Sequence, residues 1–400
     1  MTTPQQSGIQ WVADVQASLE SLAHDNVDLQ RQVNVLRARL DDYEGIDPPT
    51  DTPDPTPTNE TELGIGVGFW HHVPAIKPDG DGGYIIDEDY ADLMGKWSFV
   101  RYLDWCSLLN KQKNWTWQTR VTDADYFKTY QKEGGAWRRW RAWGVSLEAI
   151  IAFANKTHTD VWWTAPMQAD ADYMRHAGRL FADTLDPDLT VILEIGNEVW
   201  DARRGWRYYD LTRRTDGSID FGAAMQAYAQ DIKVKGHAFI EGGFPKERLI
   251  RVAGGQKDNI GVLAGHVLPQ LGPDDYDAIT CSGYFGNSPD TWRADLESTI
   301  KALRAHAALA ESHGKQLLIY EFESHIYLGV DDTSLHHSPE VIAGKQRILD
   351  LLDELGVKYI GVFQGPGYAY ARSPWPNYTP DLKPSPTVKA LGWPTLGGDE

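Results

Sequence analysis

Val191-Ile192-Leu193-Glu194-Ile195-Gly196-Asn197-Glu198-Val199-Trp200 passes from a largely apolar run into glycine, an amide and a carboxylate within three residues. A run this short, closed by a turn residue, reads as a strand buried on both faces, as in a parallel sheet covered by helices. The stretch Leu317-Leu318-Ile319-Tyr320-Glu321-Phe322-Glu323-Ser324-His325 repeats the pattern, with Glu321 at its tip. Outward from these two, residues 64–70, 98–105, 160–165, 249–253, 278–284 and 359–363 read as further strands, and 190–196 and 316–321 bring the number to eight. Between them, residues 147–156, 169–185, 221–240, 291–313 and 339–355 carry apolar side chains at the three- and four-residue spacing of helices. This alternation predicts an α/β fold, a (β/α)8 TIM barrel over residues 63–400, with its chemistry at the C-terminal ends of the strands. The rival architecture, an open doubly wound sheet, would need a Gly-rich phosphate turn after its first strand, and none follows Trp70.

Ahead of the barrel, Val12, Val15, Leu19, Leu22, Asn26, Leu29, Val33, Leu36, Leu40 and Tyr43 alternate strictly in steps of three and four. That heptad pattern, with Asn26 as its one polar seam position, predicts an N-terminal α-helical coiled coil over residues 1–44. Self-association through residues 12–43 into a dimer or trimer is expected, the alternative being one amphipathic helix lying on the barrel. Residues 45–62 repeat proline, threonine and aspartate, the composition of a semi-rigid spacer.

The formal charge of −19 disfavours nucleic acid, whose binding rests on Lys and Arg displacing counterions. No apolar run reaches the ~18 residues of a membrane span, so no membrane insertion is expected. The start, Met1-Thr2-Thr3-Pro4, lacks a basic segment followed by an apolar core. A soluble protein is therefore expected, in the cytoplasm or reaching a virion or cell exterior by a non-classical route. Cys106 and Cys281 form neither a disulfide framework nor a metal cluster and read as two buried thiols.

Glycoside hydrolysis uses two carboxyl groups, one to protonate the leaving oxygen and one on the other face of the sugar. Strands four and seven stand across a barrel from each other and end in Glu198 and Glu321, which makes them the candidate pair. Asn197-Glu198 ending strand four, with Glu321 ending strand seven, resembles the signature of the clan of retaining (β/α)8 glycoside hydrolases. Further blocks run in order: Val100-Arg101-Tyr102-Leu103-Asp104-Trp105, Gly144 to Glu148, Asp160-Val161-Trp162, Ala169 to Tyr173, Glu194 to Trp200, and Tyr320-Glu321. They are similar to a poorly characterised bacterial group of hydrolase-like barrels. The resemblance implies that Glu198 is the acid/base, Glu321 the nucleophile of a double displacement, and Asn197 a hydrogen-bond partner of the sugar. Arg101 would hold the nucleophile charged, Tyr284 would bind its second oxygen, and His325 occupies a position where the group also has histidine. Two departures stand out. Phe322 and Glu323 replace a pair of glycines, which makes Glu323 a rival nucleophile two residues along an extended strand. Phe363-Gln364 also stands where the clan usually has a tryptophan.

Eleven of the 16 tryptophans fall between Trp97 and Trp206, and stacking on the C–H faces of sugars is one explanation for the cluster. Filling the layer between barrel and helices is the other, and is preferred for Trp162. Trp200 and His71 are candidate cleft residues, and Trp137, Trp140 and Trp143 a candidate loop facing substrate. His71-His72 and His336-His337 lack ligand spacing, so neither a metal nor any other cofactor is expected. Arg203, Arg204 and Arg207 are open to two readings, a grip on an acidic sugar or a solvated loop face, the second preferred. Glu194 and Glu148 read as buried structural partners. The function expected is endo-acting hydrolysis of a polysaccharide. The alternative is a catalytically weak carbohydrate-binding or adhesive barrel on an oligomeric appendage such as a viral tail.

Overall fold

A computed structural model describes residues 61–67, 75–103, 105, 115–123, 145–326, 334–363, 365, 377–379 and 381–396. The predicted coil, nearly all of the predicted spacer, His71, Cys106, Trp137, Trp140 and Trp143 lie outside the described residues. Eight parallel strands close a barrel: β1 (Glu62–Val67), β2 (Phe99–Tyr102), β3 (Asp160–Ala165), β4 (Val191–Ile195), β5 (Leu249–Gly254), β6 (Ala278–Cys281), β7 (Gln316–Phe322) and β8 (Tyr359–Val362). Each pairs with its sequence neighbours, and β8 returns to β1 through Leu63 opposite Ile360. A two-stranded antiparallel hairpin, Ile76–Pro78 with Tyr84–Ile86, follows β1.

The helices are α1 (Glu88–Met94), α2 (Leu147–Thr157), α3 (Ala171–Thr184), α4 (Trp206–Leu211), α5 (Phe221–Glu241), α6 (Trp292–Ser312), α7 (Pro339–Glu354) and α8 (Pro386–Ala390). Their starts are set by side chains that accept a hydrogen bond from an otherwise orphaned backbone N–H. Ser146, Asp170, Asp220 and Ser338 do so for α2, α3, α5 and α7. Among the described residues, no helix is long and apolar enough to cross a membrane.

The core has two layers. Phe99, Trp162, Ile192, Val252, Ala278, Leu318, Tyr320 and Tyr359 fill the barrel, with the Phe99 ring 5.7 Å from both Trp162 and Tyr359. Gly64 on β1 makes room for this packing, since a Cβ there would lie 2.4 Å from the Phe99 ring. The second layer joins strands to helices and takes Trp97, Trp105, Trp115 and Trp163, all buried. For these residues and for Trp162, packing rather than sugar stacking accounts for the tryptophans.

On β7 the alternation of faces breaks. Ile360 of β8 is opposite Ile319 and Val362 opposite Phe322, so one residue of β8, Gly361, faces two of β7, Tyr320 and Glu321. Leu317, Ile319 and Phe322 lie in the outer layer, Leu318 and Tyr320 in the barrel interior. The bulge lets Tyr320 and Glu321, adjacent in sequence, both serve the mouth of the barrel.

Candidate functional site

At the mouth, Arg101 of β2 is fully buried and organises three other groups. Its Nη1 donates to Glu321 Oε1 at 2.6 Å, its Nε and Nη2 to Glu194 Oε2 at 3.1 and 2.9 Å, and Nη2 also to Asn197 Oδ1 at 3.0 Å. The guanidinium lies 5.1 Å from the Tyr320 ring centre and 5.7 Å from that of Trp162. Burial works against its charge, but Glu194 and Glu321 outweigh that and hold its pKa above the ordinary value. Glu194 accepts a third hydrogen bond to Oε2, from Trp162 Nε1 at 2.9 Å. Burial nevertheless pushes its carboxyl above the usual range, with Arg101 pulling the other way. One cation thus compensates two buried carboxyls, and the low dielectric magnifies every term.

Glu321 is 5 % exposed. Its second oxygen accepts the Tyr284 hydroxyl at 2.6 Å. Burial, then the neighbouring Glu321 charge, raise Tyr284 well above the ordinary tyrosine value, so it remains a proton donor. The Tyr284 ring is held from both sides, stacked on His325 at 3.7 Å and edge-on to Phe363 at 5.9 Å. Phe363 therefore supports Tyr284 from the end of β8. Burial pushes His325 down to about 4, so the ring is neutral over the physiological range.

Across the mouth, Gly196, Asn197 and Glu198 turn the chain out of β4. Gly196 (φ 71°) and Glu198 (φ 47°) both have left-handed backbone, a conformation costing a non-glycine residue about 1 kcal/mol or more and often kept at functional positions. Glu198 Oε1 accepts the Tyr320 hydroxyl at 3.1 Å, and its carboxylate is ion-paired with Arg204. Trp200 packs against Tyr320 with ring centres 6.3 Å apart. Asn197 is 7 % exposed, and because its oxygen is used by Arg101, its amide N–H groups are what it has to offer a ligand.

Arg101, Asn197, Glu198, Trp200, Tyr284, Glu321 and His325 thus come together. Glu323 does not. It is fully buried past the end of β7, ion-paired with Lys345 of α7, 3.7 Å from His336 Nε2 and bonded by the Ser324 N–H at 2.8 Å. The expectation that it shares a face with Glu321 assumed an extended strand through both residues, whereas the strand ends at Phe322. His71 lies outside the described residues. His336 and His337 are engaged by Ser324 and Thr387 at 2.8 and 2.7 Å. Glu148 is half-buried and paired with Arg120. Sequence reading gave no role to Tyr320, although its place beside Glu321 was the available signal. It also preferred a solvated face for the arginines after Glu198, whereas Arg204 contacts Glu198 itself.

The sequence matches no protein-family model and no curated protein. Solved structures do resemble it. A family 51 α-L-arabinofuranosidase from Bifidobacterium longum superposes with a TM-score of 0.50 at 13% identity, over 80% of this chain and 72% of that one. An α-L-arabinofuranosidase from Thermotoga maritima gives 0.46 at 14% identity, over 79% of this chain and 66% of that one, so the chain spans just under two thirds of that relative's length. An endoglucanase from Thermotoga maritima gives 0.42 at 12% identity, over 76% and 89%. The chain therefore shares the fold of the (β/α)8-barrel glycoside hydrolases.

Proposed function

We propose that the chain is a retaining glycoside hydrolase acting on a polysaccharide, with Glu321 as nucleophile and Glu198 as acid/base. The observation that carries this reading is the Arg101 constellation, which supports one carboxylate, Glu321, on both oxygens and ties it through Asn197 to the residue that precedes the other, Glu198. Two fixed donors on Glu321 orient its carboxyl at the mouth, as a nucleophile requires. Asn197 offers its N–H groups to a sugar hydroxyl. Trp200, partly exposed, supplies apolar surface for a sugar face. In the first step Glu321 would bond to the anomeric carbon while Glu198 gives its proton to the leaving oxygen. In the second, Glu198 would take a proton from the water that displaces Glu321.

The test is a polysaccharide panel assayed for new reducing ends with the full chain and with Glu198→Gln and Glu321→Gln. Loss of turnover in both variants is expected, and unchanged turnover in both would overturn the reading. Retention is checked by NMR of the first-formed anomer, expected to match the substrate, and by trapping Glu321 as a glycosyl ester with a 2-fluoro sugar. The heptads of residues 12–43 would gather two or three barrels, so that a surface polysaccharide is engaged at several points at once.

A further inference from the structure

Three arginines follow Glu198, and the structure separates them. Arg203 is engaged by Asp201, Nη2 to Oδ2 at 3.0 Å and Nε to Oδ1 at 3.3 Å, with its side chain 89% exposed. Arg207 lies 2.5 Å from Asp231 Oδ2, which also accepts the Tyr208 hydroxyl. Arg204 alone of the three meets the Glu198 carboxylate. Its placement is built into the backbone. Asp201 N donates to Glu198 O at 2.9 Å, and Arg204 N and Gly205 N donate to Asp201 O at 3.0 and 2.7 Å, which folds the loop back over Glu198. Gly205 permits the fold, since a Cβ there would lie 1.9 Å from Val199 O. The Arg204 side chain is 43% exposed and that of Glu198 16%, so an entering ligand meets the guanidinium first. Lys257, its side chain 11% exposed, is ion-paired with Asp258 at 2.6 Å, and it and Arg204 both bear electrostatically on His325.

A guanidinium against a carboxylate favours the ionised form, which is the wrong form for a general acid. For Glu198 to protonate a leaving oxygen, Arg204 must first be drawn away. A neutral sugar offers only hydroxyl groups in exchange for an ion pair. A carboxylate offers an anionic partner of the kind that the guanidinium already meets. Resting on the glycosidase reading, we infer that the substrate is a uronate-containing polysaccharide whose carboxylate takes Arg204 from Glu198 on binding. The uronate sits on the leaving-group side of the scissile bond, where Glu198 acts. Released from Arg204, Glu198 takes a proton from solvent and delivers it to the glycosidic oxygen as the C–O bond breaks and Glu321 bonds to carbon. Arg204 is in this scheme a specificity residue that makes the acid available only when a charged substrate is present.

The test compares uronate-containing polysaccharides with their carboxyl-reduced counterparts, using the full chain and Arg204→Gln. The wild type should cleave a carboxylated polymer at least about tenfold faster than its reduced form. In Arg204→Gln the carboxylated polymer should be cleaved more slowly and the reduced polymer faster, because the carboxylate grip and the restraint on Glu198 are lost together. A merely structural role for Arg204 would lower both rates alike, and that result overturns the inference. So does a wild type that cleaves reduced or neutral polymers as fast as acidic ones. If that cleavage still depends on Glu198 and Glu321, the glycosidase reading stands and only the acidic substrate falls. If no polymer of either kind is cleaved, both fall.

Discussion

Arg101 is one cation facing two buried carboxyls, and its planar fork is what allows it to reach Glu194, Glu321 and Asn197 together. Lysine keeps the charge but not the fork. Arg101→Lys is therefore expected to lower kcat about ten- to hundredfold, from ~1.5–3 kcal/mol for a lost hydrogen bond to a charged group. Steady-state kinetics on whichever polysaccharide is cleaved checks this, and a change confined to KM would assign Arg101 to binding instead. Tyr284→Phe removes a single donor from Glu321 and should cost about tenfold in kcat on the same arithmetic, with the fold intact by circular dichroism. The pair Glu198 and Glu321 was legible in the sequence because each follows an apolar strand abruptly. The place of Arg204 against Glu198 was not. Its contact with Glu198 depends on a loop closed by backbone bonds and Gly205, and neither feature has a periodic signature.

The elements that sequence reading recovered, eight strands and five long helices, owe this to apolar periodicity sustained over several residues. The elements it missed are short. The hairpin has three residues per strand, α1 seven, α4 six and α8 five, too few for a period to show. The case of Glu323 is different, since its strand was read correctly and its direction was not. Residues two apart share a face only while the pleat is regular, and the end of this strand at Phe322 is invisible in the sequence. The consequence is a buried ion pair, Lys345 with Glu323, both fully buried and joined by His336 and Thr387. Lys345→Met should destabilise the fold by about 3–5 kcal/mol, because it leaves a carboxylate buried without its cation. Adding Glu323→Leu to Lys345→Met should recover most of that loss. Denaturant midpoints decide this, and a double variant no more stable than the single would show that the pair is not the source of the effect.

For the molecule as a whole, buried titratable groups divide the pH range. Burial raises Asp160 to about 6 from 3.8, so the folded state holds this proton more tightly than the unfolded chain does. Stability from that group is present below about 4 and is lost as pH rises through about 6. Asp160→Asn keeps an oxygen for the Thr190 N–H and removes the charge. It should raise stability at pH 7 by on the order of 2 kcal/mol and have little effect near pH 4, as followed by thermal melts. His325 and His337 act in the opposite sense. Both are depressed to about 4 from 6.5, so their contribution is complete above about 6.5 and is lost as pH falls through about 4. At the scale of assembly, removing residues before Gly45 is expected to give a monomer by sedimentation with turnover per barrel unchanged on a short soluble substrate. A further consequence lies in the placement of Tyr320 and Glu321 on one strand. Glu198 arrives from β4, yet its carboxylate is anchored by the Tyr320 hydroxyl of β7, next in the chain to Glu321. The two carboxyls are thereby linked through the Tyr320 side chain and one peptide unit of β7, a ruler that, on the proposed mechanism, would keep the spacing of the two reacting groups as opposite walls of the barrel breathe.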